Sequence, residues 1–248
     1  MLEISLLGHP QVFSNGEATH LVRRKSRALL YYVAASRRSV QRDKLVSIFW
    51  PDLPRPTGLQ TLRTTIYGLR GQLSPWLVAS DDAIGLDGEV RVDVWAVDDL
   101  LSPADPKLEQ LTRAVAAYQG DFLEDFSLPD AGAFEEWVTY QRAYYQRLLV
   151  RALTSLSQLY ESAGDYQQAL ESLERGLRFN PLQEDLQRES IRLHYLAGDR
   201  PGAIRKYDEL RKLLDEEMGV PPMVETRALY DAILNDRLVS GPASPARS

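Results

Sequence analysis

Between Thr57 and Leu73 the chain reads TGLQTLRTTIYGLRGQL, a stretch that gathers hydrogen-bonding and cationic side chains with nothing anionic among them. Leu62, Ile66, Leu69 and Leu73 recur at the spacing of one apolar helix stripe. Gln60, Arg63, Thr64, Tyr67 and Arg70 fall on the opposite side. Arginine presents a fork that fits guanine edges or phosphate oxygens, and glutamine pairs with adenine. That face therefore carries the groups needed to read a DNA major groove. An ordinary amphipathic helix with a solvated polar face has the same composition, so the stretch alone leaves two readings open. Thr57 and Gln60 have the spacing of a capping box, which places the helix start at Thr57 with Pro54 and Pro56 outside it.

The preceding elements narrow the choice. Leu2, Ile4 and Leu6 alternate with polar residues, as in a half-buried strand. Residues 11–13 and 19–22 flank Asn15-Gly16, a pair suited to a tight hairpin turn. Arg24–Arg37 reads as a helix burying Leu29, Leu30, Val33 and Ala34. Its start carries Arg23, Arg24, Lys25 and Arg27, where the helix dipole disfavours cations by ~0.3–1 kcal/mol each. Phosphate contact explains that placement, and so do cations lying over the sheet. Gln41–Trp50 reads as a second helix with Leu45, Ile48 and Phe49 inward, and Trp50–Pro56 is a proline-punctuated turn into the third. A sheet and three short helices make a helix-turn-helix variant. Residues 76–80 and 84–86 then alternate around Asp81-Asp82, and residues 89–93 add a short strand, together the expected wing.

Charge is split along the chain. Residues 1–75 hold 11 Lys and Arg against 4 Asp and Glu, a balance of +7, and the rest carries −13. A polyanion partner for one end fits this asymmetry. There is no cysteine, so disulfides and thiol chemistry are excluded. No apolar run reaches the length of a membrane span and the start has no basic leader, so the expected compartment is the cytoplasm. His9, His20 and His194 stand apart without metal-ligand spacing, and no glycine-rich phosphate loop occurs. The sequence thus predicts no catalytic residue, no metal and no cofactor.

Arg27-Ala28-Leu29-Leu30, Asp43-Lys44-Leu45, Phe49-Trp50, Thr61-Leu62 and Leu69-Arg70 together resemble the OmpR-type winged helix of SARP-like transcriptional activators. Asp93–Asp98 looks like that family's exit from the wing. Tyr118–Leu123, Glu135-Glu136-Trp137 and Asp215–Pro222 resemble its bacterial transcriptional activator domain. One departure stands out. The family's wing tip usually carries an Arg and a Gly-Tyr pair, where this chain has Ser80-Asp81-Asp82-Ala83-Ile84. Two carboxylates there would repel a phosphate backbone.

The later part of the chain also has a signature of its own. Ala163-Gly164-Asp165 recurs as Ala197-Gly198-Asp199, 34 residues on, the tetratricopeptide period. In that register Ala169 matches Ala203, Leu170 matches Ile204 and Leu173 matches Tyr207, and His194 falls opposite Tyr160 as a packing residue. Trp137, Tyr140, Tyr144, Tyr145 and Leu148 read as core on a long helix over 132–163, and 223–234 as a closing helix.

The expected fold is an α+β winged helix-turn-helix domain over 1–95, followed by an all-α tetratricopeptide-like domain over 96–236 and a disordered tail or linker over 237–248. The expected function is sequence-specific binding of double-stranded promoter DNA by a transcription regulator, an activator in type. Gln60, Arg63, Thr64 and Tyr67 would read bases, while Arg23, Arg24, Lys25, Arg27, Arg42, Lys44 and Arg70 would contact phosphates. The resemblance further implies paired binding at direct repeats, leaving a homodimer open. It also implies contact with RNA polymerase through the Trp50–Pro56 turn, with Trp50, Asp52, Leu53 and Arg55 as contacts. The rival from another class is a regulatory protein-interaction scaffold whose winged domain no longer binds DNA.

Overall fold

The computed structural model describes residues 1–237, so all but the first residue of the tail expected over 237–248 lies outside the described residues. Two compact units make up the chain, Met1–Leu148 and the part from Leu149 onward. The first holds an α+β winged helix and the second is all-helical.

In the first unit β1 (Leu2–Ser5), β2 (Gln11–Ser14), β3 (Glu17–Ala18) and β7 (Val90–Val92) form one sheet in the order β3-β2-β1-β7. Leu2, Ile4 and Leu6 are buried, as their alternation requires. Helices α1 (Arg24–Ser36), α2 (Arg42–Phe49) and α3 (Arg55–Leu73) follow. A second sheet, β4-β6-β5, joins β4 (Val40–Gln41) to the hairpin of β5 (Leu77–Ala79) and β6 (Ala83–Leu86).

The wing differs from expectation in its third strand. β7 pairs in parallel with β1, Leu2 opposite Val90 and Ile4 opposite Val92, and the hairpin takes β4 as its neighbour. Gly88, at φ +82°, turns the chain out of the hairpin towards the free edge of β1. Asp93 secures the exit. Its Oδ2 accepts the N–H of Leu6 and of Leu7, each at 2.8 Å, while Oδ1 accepts that of Val94 at the start of α4 (Asp93–Leu101).

The first unit does not end with the winged helix. It continues through α4, α5 (Leu108–Ala117) and the front of α6 (Gly132–Ser162). Tyr32 and Phe49 meet rings from this later part: Trp137 lies 4.5 Å from Tyr32, and Phe134 lies 5.4 Å from Phe49. Phe126 packs edge-on against Tyr31 at 5.2 Å. A chain cut after residue 95 would lack all three of these rings. The compact units part at 148/149, and the aromatic core straddles residue 95, the expected end of the winged helix. Of the aromatic residues expected in the core of α6, Tyr145 is buried but Tyr140 is 63% exposed.

The 34-residue register is written twice into the second unit. Gly164 and Gly198 both take positive φ, and Asp165 and Asp199 both cap the next helix, accepting the N–H of Gln168 and of Gly202. The capped helices are α7 (Tyr166–Phe179) and α9 (Arg200–Met218), with α8 (Glu184–Leu196) between them. Ala169 and Ala203 are fully buried, each in its own apolar cluster, the first with Leu173 and Leu193, the second with Tyr207 and Leu210. Replacing either alanine by leucine is expected to overpack its cluster by ~1–3 kcal/mol. All four tryptophans, Trp50, Trp76, Trp95 and Trp137, lie in the first unit. The loss should therefore show in far-ultraviolet circular dichroism on heating, while the tryptophan-detected midpoint stays put. Unchanged melts for both variants would refute the register.

Candidate nucleic-acid interface

Helix α3 carries the face that the sequence singles out. Leu62, Ile66, Leu69 and Leu73 are buried, and Gln60, Arg63, Thr64, Tyr67 and Arg70 are exposed, so the stripe and its opposite side are where the periodicity puts them. The helix begins at Arg55, two residues before the expected start, with Pro54 as its N-cap. Pro56 sits in the first turn, where a missing N–H leaves no hydrogen bond unmade. The capping box does not form: no side chain caps this end, and the Thr57 carbonyl accepts from the Thr61 hydroxyl instead. Gly58 lets α3 cross α2 closely, since a Cβ there would sit 2.4 Å from a methyl of Val46.

On the exposed face Arg63 donates to the Gln60 side-chain oxygen at 3.0 Å, which holds both groups on one side of the helix. Thr64 donates its hydroxyl to the Gln60 carbonyl, leaving an oxygen that accepts and a methyl. Tyr67 is 82% exposed. Two residues that the sequence reading passed over complete this face. Gly68 and Gly71 have nothing within 4 Å of a would-be Cβ. Glycine inside a helix costs ~0.5–1 kcal/mol relative to alanine, and no packing in the protein demands it here. Bare backbone on a carboxylate-free face suits close approach by a bulky partner. The signal in sequence is the i, i+4, i+7, i+11 series Gln60, Thr64, Tyr67 and Gly71.

Beside α3 runs a cleft of about 360 Å³, walled by Val22, Arg23 and Ser26 on one side and by Thr64, Tyr67 and Gly68 on the other. No carboxylate lines it. Arg23 is exposed there, with no ion pair or hydrogen bond from its side chain among the described residues.

The other cations assigned to phosphates divide into three groups. Arg24, Lys25 and Arg27 turn towards the segment before α6. Lys25 pairs with Asp130 at 2.7 Å and holds that carboxyl below the usual carboxylate range. Arg24 reaches Ser127, and both arginines lie over the Phe126 ring. Three of the cluster's four cations thus have neighbours within the protein. Arg42 and Arg70 brace the wing, donating to the carbonyls of Ser80 and Ala79. Each keeps further N–H donors for a phosphate. Lys44 is exposed without an ion partner among the described residues.

The Trp50–Pro56 turn is similarly divided. Trp50 is only 8% exposed, with its ring against Phe49 and under Lys25, so it is a packing residue. Arg55 makes a two-pronged pair with Asp43, at 2.9 and 2.8 Å, which raises the arginine's pKa and lowers the carboxyl's. Asp52 and Leu53 remain exposed. At the wing tip Asp81 and Asp82 are exposed, and the Asp82 carbonyl accepts the Arg42 backbone N–H. Among the described residues no group of His, Asp and Glu could hold a metal ion, and no helix is long and apolar enough to cross a membrane.

Known proteins share this architecture. The solved structure of Mycobacterium tuberculosis EmbR in complex with a low-affinity phosphopeptide superposes with a TM-score of 0.70 over 96% of this chain and 66% of that one, at 22% identity. The regulatory protein AfsR of Streptomyces coelicolor is 24% identical over 94% of this chain, which spans only 24% of AfsR's length. The transcriptional regulatory protein MoaR1 of Mycobacterium tuberculosis is 28% identical over 94% of this chain and 79% of its own length. The family model of the bacterial transcriptional activator domain matches residues 100–234. With more than half of its length inside that match, the chain belongs to the bacterial transcriptional activator domain family.

Proposed function

We propose that this protein is a sequence-specific DNA-binding transcription regulator, an activator that works with RNA polymerase in the cytoplasm and catalyses no reaction. The observation that carries the reading is the exposed face of α3: Gln60, Arg63, Thr64 and Tyr67 stand out with two bare glycines and no carboxylate. In this reading α3 enters the major groove, those four side chains meet base edges, and Arg23, Lys44 and the spare donors of Arg42 and Arg70 meet phosphates. Asp52 and Leu53 are the exposed part of the turn offered to polymerase. The winged helix over 1–95 is the DNA-binding part and 96–236 the activator part, with the seam of aromatic rings tying the front of the latter to the former.

Arg63→Ala is expected to weaken binding to the protein's own upstream DNA by ~1–3 kcal/mol while hardly changing affinity for random DNA. A gel shift with random competitor reads both. Equal losses on the two DNAs would make Arg63 a phosphate contact, and no loss on either would remove it from the interface. The scaffold reading draws on Asp81 and Asp82 at the wing tip, and it predicts no shift of upstream DNA by the parent protein at any salt concentration.

A further inference from the structure

A second cleft, of about 290 Å³, opens between the N-terminal hairpin and α1. Val12, Phe13 and Leu21 give it apolar walls, while Thr19, Arg27 and Tyr31 supply polar groups. No carboxylate lines it. Arg27 Nε is buried without a hydrogen-bond partner, although its neighbour Lys25 has Asp130. Tyr31 is 3% exposed, and its hydroxyl has no hydrogen-bond partner among the described residues. The terminal nitrogens of Arg27 also have no hydrogen-bond or ion partner among the described residues, and a carboxylate is the partner that a guanidinium fork pairs with best. Arg27 also stands in the first turn of α1, where the helix dipole favours a negative charge over the cation now present.

We propose that this cleft binds a small carboxylate with a short apolar body, its carboxylate held by Arg27 and Tyr31 and its body against Val12, Phe13 and Leu21. Burial raises the Tyr31 pKa, so the hydroxyl remains a donor at neutral pH. The volume lies at the small end for ligand pockets, which fits a single ring or a short chain. Leu21 and Val22 line both this cleft and the one beside α3. A ligand body against Leu21 would therefore lie next to the wall that carries Arg23.

The test uses the full chain without DNA, so that a failure of DNA binding leaves it decided. Benzoate is titrated by calorimetry, with benzamide as a neutral molecule of the same shape. Saturable one-to-one benzoate binding is expected, at least about tenfold tighter than benzamide, with Tyr31→Phe and Arg27→Gln each weakening it about tenfold. Tyr31→Phe removes a single hydroxyl, and it decides the matter should Arg27→Gln fail to fold. No saturable benzoate binding, equal binding of benzamide, or undiminished binding by folded Tyr31→Phe would each overturn the proposal.

Discussion

Phe134→Ala is expected to destabilise the first unit by ~3–5 kcal/mol, the range for removing a buried aromatic side chain. Phe134 is fully buried, with its ring 5.4 Å from Phe49 and from Trp137 and 6.3 Å from Phe126. It comes from the stretch matched by the activator-domain family, yet it fills space against α2 of the winged helix. Tryptophan-detected denaturant unfolding of the full chain isolates the effect, since every tryptophan sits in this unit. A double-mutant cycle with Phe49→Ala should show coupling between the two rings, because each variant empties space that the other borders. Additive losses would mean that the two rings are energetically independent, and a change under ~1 kcal/mol would mean that the seam contributes little to the fold.

Asp93→Ala should cost ~2–4 kcal/mol, since it strips the acceptor from two backbone N–H groups in buried Leu6 and Leu7. Its pH dependence runs opposite to common acid denaturation. Burial raises the Asp93 pKa above 3.8, with its backbone hydrogen bonds opposing in part. Between the unfolded and folded values the native state holds the proton more readily, so stability from this group falls as pH rises through that window. The gap between parent and Asp93→Ala should thus be widest below the unfolded value, narrow as pH climbs through the folded pKa, and stay level above it. A gap that widens with rising pH would show that the carboxyl is depressed in the native state and that its hydrogen bonds outweigh its burial.

What could be read from sequence was what repeats at short range. The stripe Leu62, Ile66, Leu69, Leu73 follows from helical geometry within one element, and all four are buried. The Gly-Asp pairs at 164–165 and 198–199 announce a turn and a cap by residue type, and both caps form. Features set by distant partners were hidden. Nothing local in Val90–Val92 says that it will pair with Leu2–Ile4 in preference to its own hairpin. Arg42 and Arg70 look like free cations until the wing strand lies beside them. Trp50 looked like an exposed turn residue because the rings of Phe49 and the Lys25 side chain that cover it cannot be placed from sequence. The face of α3 was legible as chemistry, while its bare glycines gained meaning only once the space around them was known to be empty.

The helix that ends the second unit limits how such an array can grow. Tandem helix pairs lengthen by copying, each new pair stacking on the exposed apolar side of the last. Here α10 (Val224–Leu234) already occupies the side of α9 where another pair would stack. Ile233 joins the cluster of Ala203 and Leu210, Tyr230 stacks on Tyr207 at 3.8 Å, and Arg200 donates to the carbonyls of Ile233 and Leu234. Outward, α10 shows Glu225, Arg227 and Asp231. A pair added after α10 would meet that charge, whereas a copy of residues 166–199 would enter ahead of α9 and leave α10 closing the array, so this repeat can multiply from within but not by addition beyond its last helix.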